Sequence, residues 1–146
     1  MLLRDADIAM PLDQRASATN SAHPTIYINL HAASDGAGVR VYTAMIPPGN
    51  ESRGPFVAWE SAQTPALGLS QMAAAAVATE LRKKVSARTL GAPLRPLNSI
   101  LATALSIEVA PQAGDIGDLS SADYQQLVAS SVAAGLANVR DKLEGH

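Results

Sequence analysis

Two residues in this chain are of a type and in a setting that suit chemistry. His31 closes an apolar segment and is followed by small residues. In open α/β sheets ligands gather beyond the carboxyl ends of strands, and imidazole is a common zinc ligand. A histidine satisfied by a backbone carbonyl is the plainer reading of the same position. Glu108 lies inside a hydrophobic segment between Ile107 and Val109. An unpaired carboxylate buried there is costly, so such a residue calls for a cation, a metal or a proton-transfer task. Its plainer reading is a glutamate facing water from an edge strand. Asp5 and Asp7, together with His23 before Pro24, read more simply as loop residues, and His146 is terminal. Arg82, Lys83, Lys84 and Arg88 suit a helix C-terminus, where the macrodipole favours cations. No phosphate-cradling glycine loop, nucleophile elbow or H-E-x-x-H zinc motif occurs.

The elements that must position these groups follow from hydrophobic period and punctuation. Met1-Leu2-Leu3 reads as the tail of a buried strand. Residues 12–22 have a helical period after Pro11. Thr25 to His31 alternates as a strand, with Ile26, Ile28 and Leu30 on one face and Tyr27, Asn29 and His31 on the other. Gly38 to Ile46 is a second strand. The intervening turn is too short for a crossover helix, so the two strands should be antiparallel if they are neighbours. Pro47 to Pro55 reads as a loop. A helix is expected from Thr64-Pro65, with Thr64 as its cap, to about Arg88. Gly91 to Pro96 then breaks the chain. Thr103 to Ala110 is a buried strand carrying Leu105, Ile107 and Val109 against Ser106, Glu108 and Ala110. Ser120 is the expected cap of a closing helix, whose apolar face runs from Tyr124 to Leu143. Strands alternating with helices argue an α/β fold: a three-layer α/β/α sandwich with a mixed, mostly parallel sheet.

Composition sets outer bounds. The 146 residues are one domain's length, 47% hydrophobic and 16% charged, which suits a packed core. Aromatics make up 3%, so the core must be aliphatic, and stacking platforms for bases are not expected. A net charge of −2 does not suggest a nucleic-acid surface. The absence of cysteine removes disulfides, thiol nucleophiles and cysteine zinc sites. No run is long and apolar enough to span a bilayer, and no signal-peptide pattern opens the chain.

Taken in order, several segments resemble the zinc-dependent N-acetylmuramoyl-L-alanine amidases of the Amidase_3 type. Leu2-Leu3-Arg4-Asp5-x-Asp7, followed by Leu12-x-x-Arg15-x-x-x-x-Asn20, resembles that family's "TR…D…L..R...AN" stretch. Ile28-Asn29-Leu30-His31-Ala32-Ala33 is similar to its S-I-H-A-N strand end, and Gly38-Val39-Arg40-Val41-Tyr42 to its G-V-E-V-Y strand. Ser70 to Leu81 resembles the helix that follows. Ser106-Ile107-Glu108-Val109 resembles the strand with the catalytic glutamate, and Tyr124 to Gly135 the closing helix. Ala33 stands where the family has asparagine, and Val109-Ala110 where it has Gly-Phe.

The resemblance implies a peptidoglycan hydrolase that cuts the amide between N-acetylmuramic acid and L-alanine by zinc-activated water. It makes His31 a ligand of Zn2+ and Glu108 the proton-handling catalytic residue, both on one side of the sheet. The family's first strand with its G-H-G-G loop and the helix carrying a glutamate ligand have no counterpart here. Residues 1–146 are therefore expected to form a single, incomplete catalytic domain that lacks its N-terminal strand and helix. The missing zinc ligands are expected from a preceding segment or from an oligomer that completes the sheet. An amidase-like binding or regulatory module without a complete zinc site is the alternative. The implied substrate, peptidoglycan stem peptide and glycan, places the protein in the periplasm or outside the cell, at the envelope.

Overall fold

In the computed structural model the described residues are 1–3, 9–46 and 58–145. The expected loop at Pro47 to Pro55, together with Asp5, Asp7 and His146, lies outside them. Helix α1 (Leu12–Ala22) begins after Pro11 and ends at His23, whose φ of 45° is left-handed. Four strands follow: β1 (Ile26–Ala32), β2 (Val39–Ala44), β3 (Ala87–Ala92) and β4 (Thr103–Val109). Helix α2 (Leu67–Arg82) lies between β2 and β3. Helix α3 (Ala122–Ala137) and the short α4 (Arg140–Glu144) close the chain.

The sheet order is β1-β4-β2-β3. β1 is parallel to β4, β4 antiparallel to β2, and β2 parallel to β3. It is thus a mixed, mostly parallel sheet with helices on both faces, an α/β sandwich. β1 and β2 are not neighbours, because β4 lies between them. Their two directions are nevertheless opposed, as the short turn requires.

Period-two alternation sorts each strand between two cores. On one face, Val39, Val41, Leu105 and Ile107 pack against Ala73, Ala74, Val77, Ala78 and Leu81 of α2, and Tyr124 and Val128 of α3. The alanine-rich surface of α2 lets α3 approach closely. A Cβ on Gly135 of α3 would meet the Val77 Cα at 2.5 Å. The other face is smaller. Tyr27, Ala44 and Ala104 pack there against Ala16 of α1 and against Leu97 and Ile100. Asn20 ties α1 down by donating to the Ser99 carbonyl and accepting from the Leu101 N–H, both at 2.9 Å.

Four local expectations change. Met1 and Leu2 are exposed and not in a strand; only Leu3 packs, against the α1-side core. Thr64 caps nothing: its hydroxyl donates to the Ser61 carbonyl, and residues Thr64–Ala66 form a 3-10 turn leading into α2. The helix stops at Arg82 rather than Arg88, and Arg88 belongs to β3. Val85 is buried after the helix has ended, so it extends an apolar stripe without extending the helix. Ser121, not Ser120, caps α3 by accepting from the Tyr124 N–H at 3.4 Å.

A buried polar knot fixes the start of β4. Gln63 donates from Nε2 to the carbonyls of Ile100 and Ala102 at 2.9 and 2.7 Å. The Ser70 hydroxyl accepts from the Ala104 N–H at 2.9 Å and has Gln63 Oε1 and the Ala66 carbonyl as acceptors for its own proton. Both side chains are fully buried, so each of these bonds satisfies a group that water cannot reach.

Candidate active site

The register of the sheet places His31 opposite Glu108 on neighbouring parallel strands. Such partners face the same side, with backbones about 4.8 Å apart. Glu108 is opposite Arg40 on its other flank, and Arg40 is opposite Arg88. A single row, His31–Glu108–Arg40–Arg88, therefore crosses all four strands on the α1 side. The next row, Asn29–Ser106–Tyr42–Leu90, lies on the same face. The face is apolar where α1 covers it and polar towards the carboxyl ends of β1 and β4. A cavity of about 310 Å3 opens over these polar rows. Asn29, His31, Tyr42, Ser106 and Glu108 form its floor, with Leu94, Arg95, Pro96 and Leu97 as a wall.

Glu108 is not the water-facing edge glutamate of the plainer reading. β4 is an interior strand, and the Glu108 side chain is 21% exposed. Its Oε1 is 2.8 Å from Arg40 Nη1 and 3.5 Å from the Tyr42 hydroxyl. Arg40 Nη2 donates to the Asp35 carbonyl at 2.9 Å. Gly36, at φ 89°, lies over that guanidinium so closely that a Cβ would collide with it. Asn29 donates to the Ser106 hydroxyl at 3.0 Å, which orients the cavity floor.

His31 is in the opposite condition. It is exposed, on an edge strand, and its imidazole makes no hydrogen bond to the described residues. Among the described residues no backbone carbonyl satisfies the ring, as the plainer reading would require. His23 is exposed at the end of α1, far along the sheet from this row. Arg82, Lys83 and Lys84 lie at the end of α2, as expected of solvated cations.

Arg40, Tyr42 and Asn29 were not legible as site residues by motif. A signal for Arg40 exists all the same. It is a charge between Val39 and Val41 in an apolar strand, the pattern that singles out Glu108.

The family model for N-acetylmuramoyl-L-alanine amidase, Amidase_3, matches residues 1–138. The chain belongs to this amidase family. Membership carries the enzyme class, peptidoglycan amide hydrolysis at the cell wall, and the solved structures agree in fold. An N-acetylmuramoyl-L-alanine amidase of Nostoc punctiforme superposes with a TM-score of 0.65 at 18% identity, over 97% of this chain and 72% of its own. The corresponding amidase of Mycobacterium smegmatis gives 0.65 at 19% identity, over 98% and 66%. The catalytic domain of a Paenibacillus polymyxa amidase gives 0.62 at 18%, over 94% and 70%. The chain thus spans about two thirds to three quarters of the length of these amidases. No curated protein sequence matches it.

A catalytic zinc site takes three protein ligands and keeps one position open. In this amidase, His31 offers one imidazole on the cavity floor. Among the described residues no group of three His, Cys, Asp or Glu side chains converges on a common point. The described residues therefore fit one corner of a zinc site and do not complete it. No described helix is long and apolar enough to cross a membrane.

Proposed function

We propose that this chain carries the proton-handling half of a zinc-dependent amidase that cuts between N-acetylmuramic acid and L-alanine. The observation that supports this reading most is the register that sets His31 beside Glu108 over one cavity. In this reading His31 is one ligand of Zn2+, and the remaining ligands come from outside the described residues. When bound, the metal polarises the amide carbonyl and makes attached water acidic. Glu108 takes a proton from the attacking water and returns it to the departing L-alanine nitrogen. Asn29, Tyr42 and Ser106 are polar contacts for the substrate's amide and sugar groups.

Among the described residues β1 has no partner on its outer edge, and this edge is where the remaining ligands enter. On its α3 side a hollow of about 710 Å3 is lined by Ile28, Leu30, Val128 and Val132. On the α1 side a second, of about 630 Å3, is lined by Leu3, Tyr27 and Leu30. Leu30 is 67% exposed between them. A strand paired to β1 buries this apolar surface and brings its own side chains to His31. A preceding segment or a second copy of the chain fills that role, at the cell envelope where the substrate lies.

The test is cleavage of a muramoyl-peptide with and without added zinc, read as newly exposed L-alanine amino groups. Zinc-stimulated cleavage that is lost in Glu108→Gln is expected. Calorimetric titration adds a second reading: zinc binding that weakens at least tenfold in His31→Ala is expected. The single imidazole favours one alternative, a binding module that holds glycan-peptide without cutting it. Fragment binding equal in wild type and Glu108→Gln, with no cleavage in either, would establish that alternative.

A further inference from the structure

We propose that Arg40 is a positioning residue for Glu108. It anchors one carboxylate oxygen so that the other is free to carry the proton. The inference rests on the amidase reading above and extends it to a residue outside the reacting pair. Arg40 and Tyr42 both meet Oε1 of Glu108, at 2.8 and 3.5 Å, while Oε2 has no hydrogen-bond partner among the described residues. A carboxylate held at one oxygen cannot rotate freely, and its second oxygen keeps a defined direction. Such restraint is how a positioned acid-base group gains efficiency.

The guanidinium is itself fixed from behind. Nη2 is bound to the Asp35 carbonyl, Gly36 covers it, and Nε is buried without a partner among the described residues. Arginine suits this task because its rigid fork serves two acceptors at once, whereas lysine is a single flexible point charge. The arrangement joins the turn after β1 to the carboxyl on β4, so the strand end that carries His31 and the group that moves the proton share one brace.

The test is a double-mutant cycle on the full chain with Arg40→Met, Arg40→Lys, Glu108→Gln and the double variant Arg40→Met/Glu108→Gln. In zinc-supplemented cleavage, Arg40→Met is expected to lower kcat by about 10- to 100-fold with KM within twofold, and Arg40→Lys to recover part of that loss. The double variant should be no slower than Glu108→Gln alone, because a brace has nothing left to position. A second readout does not need turnover: the buried Arg40 Nε–H should give a solvent-protected NMR resonance that shifts in Glu108→Gln. Urea midpoints of all variants report folding. If Glu108→Gln abolishes cleavage but Arg40→Met keeps kcat within twofold of wild type, the positioning role is wrong and the amidase reading stands. If the Arg40 resonance ignores Glu108→Gln, the ion pair is not formed and the proposal falls. If wild type binds zinc through His31 yet cleaves no faster than Glu108→Gln, the amidase reading fails and takes this role with it.

Discussion

The two faces of the sheet solve different problems with the same strands. Towards α2 and α3 every inward residue of β2 and β4 is aliphatic or small, and the core is closed by helices that touch backbone to backbone at Gly135. Towards α1 the cover is partial, and beyond it the strands present Asn29, Ser106, Tyr42 and then His31, Glu108 and Arg40. One face converts apolar area into stability. The other leaves polar groups ordered but reachable, held by hydrogen bonds and an ion pair. A strand such as β4 serves both because alternate residues face opposite ways. Leu105 and Ile107 hold the fold, while Ser106 and Glu108 belong to the cavity.

If this contrast is right, neighbouring residues on β4 respond to substitution in opposite ways. Glu108→Gln should lower muramoyl-amide cleavage by about 10²- to 10⁴-fold, the usual weight of a general acid-base group, while the thermal midpoint changes little. Leu105→Ala, three positions earlier and fully buried, should cost about 2–5 kcal/mol in denaturant unfolding. Comparable destabilisation by both substitutions would erase the distinction between the faces. Ser70→Ala leaves the buried Ala104 N–H without its acceptor and should cost about 1–3 kcal/mol, measured the same way. Ser70→Ala that unfolds at the wild-type urea concentration would show that the start of β4 does not depend on this knot.

The smallest effect is a pH dependence carried by two buried phenols, one on each face. Burial holds the hydroxyls of Tyr27 and Tyr124 above the ordinary 10.0. Above that pH the unfolded chain loses these protons before the folded one does. The stability they protect is intact below pH 10 and falls as pH rises towards their folded values. Tyr124 also donates to the Ala110 carbonyl at 2.8 Å. Tyr124→Phe should therefore lower the midpoint slightly at pH 8 yet flatten its decline between pH 10 and 11. A decline as steep as wild type's would remove Tyr124 from this account.

Much of this fold could be read from the chain. The alternation in β1, β2 and β4 gave the correct facing of Tyr27, Asn29 and His31 against Ile26, Ile28 and Leu30. It did so because a half-buried strand must separate its two environments. β3 was missed for a physical reason. Ala87–Ala92 is an edge strand that includes Arg88 and Gly91 and is largely exposed, so it carries no alternation to detect. The helix boundary failed with it, since Val85 prolonged the apolar stripe. The site was only partly legible. Residue type and surroundings singled out His31 and Glu108 separately. Their adjacency depends on β4 pairing with β1, a long-range choice that no local pattern encodes. Arg40 shows the cost of attending to carboxylates and imidazoles alone, because the ion pair is what makes Glu108 tolerable where it lies.

The place of β4 has a bearing on when the site can come into being. It is the last strand in the chain and an interior strand of the sheet, inserted between two strands made much earlier. Until it arrives, β1 has no ladder partner among the described strands, and β2 has only β3. A nascent chain that stops short of Val109 thus holds its histidine and its arginine on separate, unjoined ribbons. The final insertion closes long loops, a slow kind of step, and it completes the sheet and assembles the polar row in the same event.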